Sequence, residues 1–163
     1  KNQSIIESSK SDIIDLIMLK YENNISIENE LTYLGSIIEN NNKKYIEKIL
    51  ILQNKPFKGH KYLKEIFNKE LNFFLKNDIY NNSNKLFRRF ILPYVNISPT
   101  SENIIDDNLI LKLNEVDVSI KNKNIENALN KISQLNNYEN FFKKSLYEMN
   151  NYINFKTELS RIK

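Results

Sequence analysis

From Ser11 to the C-terminus, apolar residues return every third or fourth position and almost nothing interrupts them. The 163 residues include only two Gly and three Pro. Those two residue types punctuate most chains, so their scarcity leaves few sites where short strands could reverse. The expectation is an all-α fold: an irregular helical bundle of about seven helices, with a C-terminal αα-hairpin packed on a long terminal helix.

Individual segments follow from the same periodicity. Ser11-Asp12 opens a helix carrying Ile14, Ile17, Met18 and Tyr21, and residues 1–10 either extend it upstream or fray. Ser26 is placed to cap a second helix with Ile27, Leu31, Leu34 and Ile38 on one side. A third, about 43–53, buries Ile46, Ile49 and Leu50. Pro56 and Gly59 mark a loop. After it Leu63, Ile66, Phe67, Leu71 and Phe74 line a helix ending near Lys76, and a polar linker runs from Asp78 to Asn84. Leu86 to Ile91 form a short helix stopped by Pro93, and 94–99 is extended.

Asp106 or Asp107 then caps a helix with the stripe Leu109, Leu113, Val116 and Ile120. The turn Lys121–Asn124 leads to a partner helix bearing Ile125, Leu129, Ile132 and Leu135. A link this short makes the two antiparallel. The last helix runs from Asn137 to about Arg161 and buries Phe142, Leu146, Met149 and Ile153, with Leu159 and Ile162 near its end. The hairpin superficially resembles one tetratricopeptide unit, but no second copy recurs at a fixed period.

Chemistry is harder to find than packing. A hydrophobic fraction of 40% is enough for a core. With no Cys, disulfides and thiolate metal sites are excluded. No apolar run reaches the length of about 18 residues that a spanning helix needs. His60, the single His, has no acid or nucleophile spaced convincingly around it and is expected to start a helix. Asp12/Asp15 and Asp106/Asp107 lie at helix starts, where capping explains them. No phosphate loop, dinucleotide fingerprint or nucleophile elbow occurs. The expectation is a non-enzyme with no cofactor and no metal.

Charge is unevenly spread. Residues 1–42 hold 3 Lys against 7 acids, residues 43–92 hold 12 Lys and Arg against 4, and residues 93–163 hold 9 of each. The whole basic excess thus falls in one third of the chain, interleaved with Phe and Tyr. Such a surface attracts phosphate in lipid headgroups or nucleic acid. Lipid is the better match, since no nucleic-acid-binding motif accompanies the charges. On this reading Lys61, Lys64, Lys69, Lys76, Arg88 and Arg89 lie near headgroups, while Phe73, Phe74 or Tyr80 dips toward the acyl boundary.

Three stretches carry a resemblance: LFRRFILPYVNISP, LNEVDVSIKNKNIENALNKISQL and YENFFKKSLYEMNNYINFKTELSRI. Their order resembles the C-terminal domain of the mitofilin family, including its alphaproteobacterial relatives. That pattern has a short amphipathic helix, an alternating segment before a Pro, a helix pair with a tight turn and an alanine–leucine step, and a long terminal helix. Asn122 or Asn124 stands where the family has its turn glycine, and Ser98 where it has an Arg. The tract KPFKGHKYLKEIF is similar to the family's loop-to-helix entry, so the resemblance covers about residues 45–163.

The resemblance implies a membrane-anchored scaffold that shapes inner-membrane invaginations of the cristae-junction type. It implies a domain facing the periplasm or the mitochondrial intermembrane space, contacts with anionic lipids and with envelope or outer-membrane proteins, and self-association through a coiled coil. Opening at Lys1 rather than Met, the chain is expected to be a fragment or mature form that lacks the family's anchor and coiled coil. Residues 1–82 then form the N-terminal helices, with a basic lipid-binding segment at 43–82, and 83–163 the mitofilin-like domain. Leu113, Val116, Leu129, Ile132, Phe142 and Met149 are the expected partner-binding residues. The competing expectations are a soluble helical-repeat-like adaptor that holds a partner peptide or helix, and the related membrane protein of heme-biosynthesis operons.

Overall fold

Having almost no glycine, the chain reverses on other residues held in the left-handed region. In the computed structural model, which describes residues 2–38, 40–82 and 107–162, these are Asn24, Lys123 and Asn137, at φ of 56°, 58° and 57°. The described residues contain helix and no strand, as expected, with 81% helix. In chain order the helices are α1 (Asn2–Glu22), α2 (Glu28–Ile37), α3 (Lys43–Gln53), α4 (His60–Asn82), α5 (Asp107–Lys121), α6 (Ile125–Ile132), α7 (Tyr138–Phe141) and α8 (Lys143–Ser160), with a 3-10 turn at Asn40–Asn42. The short helix expected at 86–91 and the extended passage at 94–99 lie outside the described residues.

Packing groups the chain into two compact units, Lys1–His60 with Glu148–Lys163, and Lys61–Tyr147.

In the first unit α1 is continuous from Asn2, so residues 2–10 extend the helix rather than fray. It ends in a Schellman turn: Asn24 N–H donates to Tyr21 O, and Ile25 N–H to Lys20 O. The next helix starts differently from expectation. Its N-cap is Ile27, with no side-chain bond, and Ser26 does not cap it. Burying the Ile27 side chain, worth about 1.5–3 kcal/mol, outweighs a cap worth about 1. Lys20 Nζ joins α1 to α2 through Glu30 Oε1 at 2.6 Å. In α3 only Ile49 is fully buried; Leu50 and Ile51 are exposed, contrary to the expected burial of Leu50. Gly59, at φ 94°, takes a backbone conformation that side chains disfavour, and an added Cβ would sit 3.4 Å from Glu22 O.

The second unit is built on aromatic rings. Phe67 stacks on Phe142 at 5.6 Å, and Phe74 meets Phe141 and Phe142 at 5.1 and 5.5 Å. Here α4 passes Lys76 and continues to Asn82, through residues expected to be linker, because no Gly or Pro stands there to stop it. The hairpin forms as expected, with α5 packed on α6. Its turn is another Schellman motif, in which Lys123 N–H donates to Ile120 O and Asn124 N–H to Ser119 O. The left-handed residue is Lys123, not Asn122 or Asn124. Asn124 caps α6 instead, its side chain accepting from Asn127 N. The expected single terminal helix is two pieces, α7 and α8, divided at Phe142. The Glu70 carboxylate accepts from Lys144 N, Ser145 N and Ser145 Oγ at 2.9, 3.0 and 2.5 Å, and so satisfies the orphan donors at the start of α8.

Candidate functional site

Helix α4 buries one side and exposes most of the other, with Leu75 buried between Lys61 and Lys64 on the wheel. Leu63, Ile66, Phe67, Leu71, Phe74 and Leu75 are buried. Lys61, Lys64 and Lys69 are exposed and Lys76 is half-buried, all four within one side of the helical wheel. Glu65 and Glu70 lie between them in sequence, Glu70 engaged at the start of α8, and none of the four ion-pairs with a described acid. At the edge of this face Phe73 is 64% exposed, its ring 5.8 Å from Phe141.

Phe74 is directed the other way, into the core between Phe141 and Phe142, so Phe73 is the ring that accompanies the lysines. Arg88 and Arg89 lie outside the described residues, as does the side chain of Tyr80. What the face offers is ammonium groups with no acid partner among the described residues, on flexible stems beside one exposed ring. Each such cation near an anionic bilayer contributes about 1 kcal/mol.

The residues expected to meet a partner occupy another place. Leu113, Val116, Ile132, Phe142 and Met149 are fully buried within this chain, and Leu129 is half-buried. Their own core accounts for their periodicity without a second chain. Leu111 and Val118 are the large apolar side chains that α5 leaves exposed.

Around His60, the structure assembles what sequence spacing did not reveal. Glu22 Oε1 lies 3.8 Å from His60 Nε2 and accepts a hydrogen bond from Tyr152 Oη at 2.7 Å. The imidazole sits edge-on to Phe57 and Tyr152, at 5.1 and 5.5 Å, with its side chain 14% exposed. Tyr21 Oη, alongside, donates to Asn151 O and accepts from Phe57 N. Its ring stacks flat on Phe155 at 3.6 Å.

Nearby, Glu148 is only 2% exposed and accepts from Lys58 N at 2.9 Å. Burial pushes its carboxyl above the ordinary range, partly offset by that bond and by the charge of Lys58. Glu22, His60 and Tyr152 are 38 to 130 positions apart in sequence, so no local spacing could have signalled them. Rings enclose the imidazole, and Tyr21 and Glu148 hold the 54–59 loop through Phe57 N and Lys58 N, which makes the cluster a clasp for that loop. Among the described residues no group of three His, Asp or Glu side chains could hold a metal, and no helix is long and apolar enough to cross a membrane. Neither family models, curated proteins nor solved structures provide a match to this chain.

Proposed function

We propose that this chain is a non-enzymatic domain of a mitofilin-like envelope scaffold, and that the lysine face of α4 binds anionic membrane. The domain works from the periplasm or the mitochondrial intermembrane space, tethered to the inner membrane by a segment outside this sequence. The observation that carries the reading is the row Lys61, Lys64 and Lys69, exposed, free of described acids and bordered by Phe73. Cations of this kind gain from headgroup phosphates, and a ring at the edge can enter the interface. Support also comes from the order of α5, a tight turn, α6 with Ala128 buried, and a long last helix. That order is the later part of the pattern on which the family resemblance rests; its short helix and alternating segment lie outside the described residues.

Co-sedimentation with vesicles tests it. Binding is expected to vesicles containing an anionic phospholipid at low salt, to fall with added salt, and to be absent with neutral phosphatidylcholine. Lys64→Glu together with Lys69→Glu should weaken binding by about 2 kcal/mol or more, roughly thirtyfold, with the helical circular-dichroism signal unchanged. Equal binding to neutral and anionic vesicles, or none to either, would end the proposal.

A further inference from the structure

At its Phe73 edge, the lysine face of α4 meets a second helical segment. Lys69 and Lys76 stand four positions before that ring and three after, about 40° and 60° round the same side of the helix. Phe74 lies about 100° the opposite way, and Phe141 of α7 touches both rings, Phe73 at 5.8 Å and Phe74 at 5.1 Å. Glu70, three positions before Phe73, accepts from Lys144 N at 2.9 Å, which pins the start of α8 to this stretch of α4. Two exposed lysines, Lys143 and Lys144, stand there, and neither ion-pairs with a described acid.

Packing gives those two lysines no role. Positive charge in the first turn of a helix opposes the helix dipole, and α8 has no acid of its own in that turn to offset it. Glu70 already takes the Lys144 and Ser145 N–H groups, so the ammonium groups, not the helix end, are what an anion meets. The nearest exposed acid in sequence, Glu139, lies two positions before Phe141, about 200° round α7, and accepts from Tyr138 Oη.

We propose that the membrane-binding surface spans two helical segments. Phe73 and Phe141 enter the boundary between headgroups and acyl chains together, with Lys69 and Lys76 on one side of the pair and Lys143 and Lys144 on the other. This rests on the lipid reading of α4, and adds to it a second segment and a mode of contact. An anionic bilayer fits such a patch, since it spreads phosphate over a plane and offers apolar depth beneath it.

Vesicle binding by the whole chain tests this surface. Lys143→Gln together with Lys144→Gln should weaken binding to anionic vesicles roughly thirtyfold. The same pair should melt no lower than wild type, because it removes charge that opposes the α8 dipole. The chain has no Trp, so Phe141→Trp supplies a single indole reporter. Its emission should move to shorter wavelength on anionic vesicles and be quenched by lipids brominated on their acyl chains. A Gln pair that binds like wild type, or Phe141→Trp emission unmoved on vesicles that the variant binds, would overturn the two-segment surface and leave the α4 reading standing. A wild-type chain that binds no anionic vesicle would overturn both.

Discussion

The α5–α6 hairpin and the terminal helix α8 obey opposite rules of burial. In the hairpin the buried positions are mostly apolar: Leu113, Val116, Ile120, Ile125, Ala128 and Ile132, with Ser119 the exception. Ser119 is satisfied locally, donating to Glu115 O and accepting from Asn127 Nδ2. In α8 three polar residues, Ser145, Glu148 and Asn151, are buried beside Met149, Tyr152, Phe155 and Leu159. The first two are tied to partners distant in sequence, Ser145 to Glu70 and Glu148 to Lys58. A hairpin closes on itself and can use the cheapest filler. A helix that receives hydrogen bonds from remote segments must bring polar groups inside to meet them, because a buried polar group without a partner costs several kcal/mol.

Breaking that comparison begins with its largest expected effect. Leu113→Ala in the hairpin removes side-chain atoms from a closed apolar seam and should cost about 3 kcal/mol in urea unfolding. A loss under about 1 kcal/mol would mean that the seam collapses easily. Next is Glu70→Ala, which strips three donors at the start of α8 and should cost about 1–2 kcal/mol. Glu70→Gln should recover part of that loss. If both variants are neutral by thermal melting, the polar burial of α8 is not held by this carboxylate.

The remaining effects are expected to be smaller, and both are gains. Lys123 occupies the left-handed region at a position where glycine carries no side-chain penalty. Lys123→Gly should therefore stabilise by up to about 1 kcal/mol, measured by the same unfolding curves. Glu148→Gln sharpens the contrast through pH. The folded carboxyl has a raised pKa, so the native state holds its proton more tightly than the unfolded chain does. Stability from this group is full below the unfolded value and is lost as pH rises through the folded one. The variant should thus gain on wild type as pH rises toward neutral and show a flatter stability profile. A wild-type profile identical to that of the variant would remove the buried charge from the account.

Much of the fold was legible because few residues compete with helix in this chain. Stripes such as Leu63, Ile66, Phe67, Leu71 and Phe74 needed only the 3.6-residue period to be read, and all are buried. The terminal stripe was read only in part: Phe142, Met149, Leu159 and Ile162 are buried as expected. Leu146 and Ile153 looked like core and are half-buried, while Ser145, Asn151 and Tyr152 take the inner positions. Lysines on α4 could be seen as a charged face from sequence, since a row of ammonium groups has nowhere to go but water. The stripe already set Phe74 inside and left Phe73 beside it, so the structure removes Phe74 from the lipid-facing rings and keeps Phe73, one position or about 100° away. The Glu22–His60–Tyr152 cluster left no local trace at all.

What the sequence by itself determined is the class of structure: apolar period, scarce breakers and the place of the basic excess are properties of neighbours along the chain. Tertiary structure alone decided which carboxylates go inside, and that Lys123 rather than an asparagine bends the hairpin. The buried carboxylate Glu148 meets its partner Lys58 from 90 positions away. No periodicity encodes a partner that only folding brings within 3 Å.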